Sequence, residues 1–83
     1  MPEITRFYGI VIQIHFFREH NPPHFHALYS GKEGVFDIST LGMLYGDLPP
    51  KAQALVKEWA ASYQKELMEM WESKILQKLQ PLE

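Results

Sequence analysis

Apolar residues change their period once along these 83 residues, and that switch limits the chain to a short list of folds. Over residues 8–17 they alternate. Ile10, Ile12, Ile14 and Phe16 point one way, and Val11, Gln13, His15 and Phe17 the other, as in a strand with one apolar face. From Lys51 onward Ala52, Leu55, Val56, Trp59, Tyr63, Leu67, Met70 and Trp71 recur at three- and four-residue steps, the stripe of an amphipathic helix that runs on to Ile75.

Between these two patterns the chain is punctuated by turns. Residues 18–23, with Asn-Pro-Pro, form a loop. Residues 24–29 read as a second strand, 30–34 as a turn, and 35–39 as a third strand. Residues 41–46 form a short fourth strand that glycines interrupt. Leu48-Pro-Pro50 opens the helical half, because a proline in the first turn lacks only an amide hydrogen that has no intrahelical partner. The helical stripe is about seven turns long. A sheet with strands of ~17–20 Å covers a helix of half that length, so a break near Ala61-Ser62-Tyr63 is favoured. The expected architecture is α+β: a three- or four-stranded antiparallel meander, then one long or two shorter C-terminal helices packed on one face. Short connections favour hairpins over parallel crossovers. Residues 1–83 make a single domain, and the tail 79–83 is extended.

Composition narrows the function classes. With 46% hydrophobic and 13% aromatic residues the chain is globular. It has no cysteine, which removes disulfides, thiolate metal sites and thiol nucleophiles. The N-terminus lacks a basic segment leading into an apolar run, so no secretory leader is expected. The longest apolar stretch, residues 10–17, is too short to cross a bilayer, and a soluble cytoplasmic protein is the default. Net charge is −2 and evenly spread, with no basic stripe to release counterions from a nucleic-acid backbone. Avid nonspecific RNA binding is disfavoured; transient contact at a catalytic site is compatible.

All four histidines fall between positions 15 and 26. Imidazole exchanges protons near neutrality and is the commonest metal ligand. Pairing residue 17 with residue 24 sets His15 against His26; closing the next turn with residue 29 opposite residue 34 sets His26 against Asp37. Both registers bury the apolar positions on one side. His15, His26 and Asp37 then form one row on the face away from the helices, with His24 two residues along and His20 in the loop above. A carboxylate beside an imidazole fixes its tautomer and raises its basicity, as general acid–base catalysis requires.

Plainer readings stand beside this one. His15 on an open sheet face is as readily a half-exposed polar residue, and His24 and His26 can pin a proline loop through its carbonyls. Asp37 on a strand is ordinarily solvated. A zinc site from His20, His24 and His26 matches no familiar ligand spacing. Trp59, Tyr63 and Trp71 read as core, and Glu58, Glu66, Glu69 and Glu72 as a solvated helix face.

The string Pro-Glu-Ile-Thr-Arg-Phe-Tyr-Gly-Ile-Val-Ile at 2–12 and the string His-Asn-Pro-Pro-His-Phe-His at 20–26 resemble a small bacterial family, domain of unknown function 4160. So do Gly-Asp-Leu-Pro at 46–49, Glu-Trp-Ala at 58–60, and Glu66-Leu67 with Trp71. The resemblance covers nearly the whole chain. Gln13 departs from it where a basic residue is common, and Leu28 where a more polar one often sits. Members of that family are typically encoded beside a second family, domain of unknown function 2442, in a layout like a type II toxin–antitoxin module. The resemblance therefore implies a toxin-like protein with a small antitoxin-like partner.

The expected function is growth inhibition through RNA or translation, with no cofactor. His24 and His26 would serve as acid and base, with Asp37 and His15 beside them and Arg18 steadying phosphate charge. The rival readings are a non-catalytic interaction module, using Phe17, Tyr45 and the histidines, and a small metal-binding domain. An unpaired edge strand would also admit a homodimer.

Overall fold

Two tight turns with left-handed backbone fix how the sheet is laid out. Tyr8-Gly9 (φ 50° and 79°) and Ser30-Gly31 (φ 52° and 78°) each have positive φ at both central residues. That geometry matches the twist of a two-residue hairpin, and a glycine at the second position supplies it without steric cost. The computed structural model describes residues 3–15 and 22–83. Around these turns it forms β1 (Glu3–Phe7), β2 (Ile10–Gln13), β3 (His24–Tyr29), β4 (Lys32–Asp37) and β5 (Met43–Gly46), then the helices α1 (Pro50–Ser62) and α2 (Gln64–Ser73). The strands lie in the order β1-β2-β3-β4-β5, and each adjacent pair is antiparallel.

The α+β meander is as expected, with one strand more than the three or four foreseen. Residue 8 is a turn rather than the start of a strand, so Glu3–Phe7 folds back as an additional edge. The face assignment holds: Ile10, Ile12 and Ile14 are fully buried. Phe16, Phe17, Arg18 and His20 lie outside the described residues.

One side of the sheet carries the core. Phe25 and Phe36 stack at 5.4 Å, and Trp59 of α1 lies 5.8 Å from Phe7 and 6.2 Å from Phe25. Val56 and Ala60 of α1 and Leu67, Met70 and Trp71 of α2 complete the same cluster. The helices part at Tyr63, whose φ of −123° leaves the helical region. Gln64 then ties the start of α2 to the end of β4, its side-chain amide donating to the carbonyls of Ile38 and Ser39, each at 2.7 Å. The second helix stops at Lys74, in the left-handed conformation, so Ile75 does not extend the apolar stripe and is exposed.

The tail has no regular secondary structure, yet it is held in place. Trp59 Nε1–H donates to the Gln80 carbonyl at 2.7 Å, and the Leu79 amide donates to Ile4 on β1 at 3.2 Å. One sheet edge is thereby partly covered, as edges need to be. No helix among the described residues is long and apolar enough to cross a membrane.

Candidate functional site: an imidazole cluster with a glutamate

Register decides which side chains meet. Residues 30–31 alone make the second hairpin turn, so Tyr29 pairs with Lys32 and not with residue 34. Every partner on β4 therefore slides by two from the expected register. His26 faces Val35, and Asp37 faces His24. The first pair slides equally, setting Gln13 rather than His15 opposite His26. A slip of two preserves which face each residue occupies. The faces were legible, but the row of His15, His26 and Asp37 is not formed.

Three imidazoles nonetheless converge. The His15 and His26 rings lie 4.5 Å apart, edge to face, and the His24 and His26 rings 5.3 Å apart. The carboxylate in the group is Glu33, whose Oε2 accepts the Nδ1–H of His26 at 2.7 Å. Glu33 pairs with Leu28, and from there it reaches His26 along the diagonal available to long side chains. The Glu33 side chain is half exposed, while that of His26 retains 13% of its accessible surface. In neutral His26 this bond places the proton on Nδ1 and the lone pair on Nε2.

The neighbouring imidazoles are held by different acceptors. His24 donates Nδ1–H to the Pro22 carbonyl at 2.8 Å and packs on Trp71 at 5.0 Å. It is buried to 7% and touches α2, so it does not stand on an open face away from the helices. The expectation that it could pin the proline loop describes this contact. His15 is half-buried, and its Nε2–H donates to Gln13 Oε1 at 3.0 Å. The buried Gln13 is thus an orienting partner for an imidazole, where a basic residue would offer no acceptor.

Asp37 does something else. Its Oδ1 accepts the amides of Ser39 and Thr40 at 2.7 and 3.1 Å, which closes the turn after β4. It is buried rather than solvated and does not support His26. Arg18 and His20 lie outside the described residues, so the phosphate-steadying role and the His20, His24, His26 metal set have no described geometry. Among the described residues no three His, Asp or Glu side chains converge as a metal ion would require.

Sequence reasoning missed Glu33, Gln13 and the support that Trp71 gives His24. Reading Ser30-Gly31 as a two-residue hairpin turn would have found the first, because that turn alone sets Glu33 diagonal to His26.

The fold and site define a class: a small α+β domain that presents orienting acceptors to a cluster of imidazoles at one end of a sheet. Residues 9–72, most of the chain, match the family described as Domain of unknown function (DUF4160), and the chain belongs to it. No curated protein and no solved structure matches the chain.

Proposed function

We propose that this protein is the toxin-like component of a bacterial two-gene module and acts in the cytoplasm on RNA by histidine-based acid–base chemistry. The observation that carries the reading is the 2.7 Å bond from His26 Nδ1 to Glu33 in contact with a second and a third imidazole. A carboxylate-oriented imidazole with its lone pair on Nε2 is a general base. His26 takes the proton of a ribose 2′-hydroxyl as that oxygen attacks phosphorus. A 2′,3′-cyclic phosphate forms, and the departing 5′-oxygen leaves with a proton from a second imidazole. His15, half-buried and in ring contact with His26, suits that second role better than His24, which is wedged against Trp71. Such chemistry needs no cofactor, and the partner in the module is a small antitoxin-like protein from the adjacent gene.

Controlled expression in a bacterial host tests this. Wild-type protein should arrest growth, co-expression of the adjacent gene should relieve the arrest, and purified protein should cut RNA. His26→Ala should remove both activities and leave the fold intact. A His24→Ala/His26→Ala double variant that still arrests growth would falsify the acid–base reading.

One observation favours a second reading, a non-catalytic interaction module. The β5 edge carries exposed Leu44 and Tyr45, whereas β1 is tied to the tail. An exposed edge strand can accept a strand from a partner protein or a second copy. A stable complex with the adjacent gene product, together with no RNA cleavage, would select this reading.

A further inference from the structure

The row of side chains through His26 continues across the sheet to its outer strand. Gln13 pairs with His26, His26 with Val35, and Val35 with Tyr45, so all four share the face that carries the imidazoles. Tyr45 stands two strands from His26, a separation of about 10 Å at the usual interstrand spacing. It is 66% exposed, although the rest of that row is buried or half-buried.

Its placement is specified by local backbone chemistry. Tyr45 pairs with Val35 and Met43 with Phe36, which leaves Leu44 as the additional residue of a bulge. Bulges re-aim neighbouring side chains and recur beside active sites. Gly46 follows, with φ +125°, and a Cβ there would lie 2.4 Å from the Glu33 carbonyl oxygen. The Asp47 amide donates to that same oxygen at 2.9 Å. The segment bearing Tyr45 is therefore clamped to the backbone of Glu33, the residue that orients His26.

Resting on the acid–base reading above, we propose that Tyr45 is the stacking platform for a base of a single-stranded RNA substrate whose scissile phosphate lies at His26. Electrostatics points the same way. A chain of net charge −2 without a basic stripe gains little from counterion release, so affinity must come from elsewhere. Stacking a base on an aromatic ring strengthens binding about tenfold and is indifferent to sequence. Bases within a duplex are already stacked on each other, so the platform selects unpaired strands.

The test uses the full chain and a short, mixed-sequence, single-stranded oligonucleotide with 2′-O-methyl sugars, which cannot be cut through a 2′-hydroxyl. Fluorescence anisotropy should show binding that changes little with salt and is lost for the corresponding duplex. Tyr45→Ala should weaken binding about tenfold, Tyr45→Phe should retain it, and Tyr8→Ala, an equally exposed tyrosine at a distant turn, should leave it unchanged. With unmodified RNA, Tyr45→Ala should raise KM and leave kcat near wild type. Wild-type affinity in Tyr45→Ala, equal affinity for duplex, or no binding of the oligonucleotide overturns the inference. RNA cleavage with no dependence on Tyr45 sinks the platform alone. Tyr45-dependent binding without cleavage sinks the acid–base chemistry and keeps the platform.

Discussion

Glu33 and Asp37 lie four residues apart on β4, one near each end, and so share a face of the sheet. Their carboxylates have opposite fates. Asp37 is buried, and its Oδ1 accepts two backbone amides of the following turn. Glu33 is half exposed and meets an imidazole. A carboxylate already engaged by main-chain donors is structural; one whose side chain meets an imidazole instead is available for chemistry. Residue type does not separate these cases, whereas register and the adjacent turn do.

The largest effect should fall on activity at the Glu33 end. Glu33→Gln keeps the size of the side chain but removes the charge that orients His26. RNA cleavage should drop about a hundredfold, within the usual range for acid–base assistance. Stability should change by no more than about 0.5 kcal/mol, since the side chain is half exposed. Cleavage rates and a urea melt on the same preparation check both parts. Undiminished cleavage by Glu33→Gln would return the site to a purely structural role.

The reverse is expected at the other end. Asp37→Ala leaves the Ser39 and Thr40 amides without their acceptor and should cost about 1–3 kcal/mol of unfolding free energy. Cleavage per folded molecule should stay at the wild-type level. If Asp37→Ala instead abolishes cleavage while the denaturation midpoint holds, the roles of the two carboxylates have been reversed.

How much of this was legible in the residues follows from the same comparison. Alternation at Ile10, Ile12 and Ile14 fixed the core face, because burial discriminates strongly between the two sides of a strand. The stripe from Ala52 to Trp71 fixed the helices, and sheet length favoured a break near Tyr63. Clustering of His15, His24 and His26 was also readable, since a slip of two keeps the face. The identity of the carboxylate was not. It depended on whether the second turn held two residues or four, and alternation accepts either. The extra strand was missed for a related reason: Tyr8 has high strand propensity, yet it occupies the left-handed position of a turn that Gly9 makes possible.

That dependence on one turn predicts a smaller effect. Ser30 has φ 52°, where asparagine is favoured over serine. Ser30→Asn should stabilise the protein by about 0.5 kcal/mol, in the manner of other turn substitutions compatible with their backbone. It should leave cleavage unchanged, because it reinforces the register that joins Glu33 to His26. A loss of stability would mean that the turn does not have this conformation in solution.

The smallest effect concerns a third carboxylate, Glu3 on β1, which pairs with an arginine where Glu33 meets an imidazole. Arg6 donates Nε–H and Nη2–H to the two Glu3 oxygens at 2.8 and 2.7 Å. That hydrogen bonding, with the arginine's charge, holds the Glu3 carboxyl below the ordinary value of 4.5 and raises that of Arg6. A carboxyl whose folded-state pKa is depressed contributes stability above its unfolded pKa and loses it as pH falls through the lower, folded value. Any contribution is thus present at neutrality and disappears only in acid. The Arg6 side chain is largely exposed, so water and salt screen the pair, and Arg6→Ala should leave the denaturation midpoint at pH 7 where it was. The effect should instead appear in an NMR titration, with the Glu3 carboxyl moving up toward its ordinary value in Arg6→Ala. A Glu3 titration unaffected by Arg6→Ala would show that the pair does not persist in solution. Ion pairing at this sheet edge would then be weaker than its geometry implies, in contrast to the engaged carboxylates of β4.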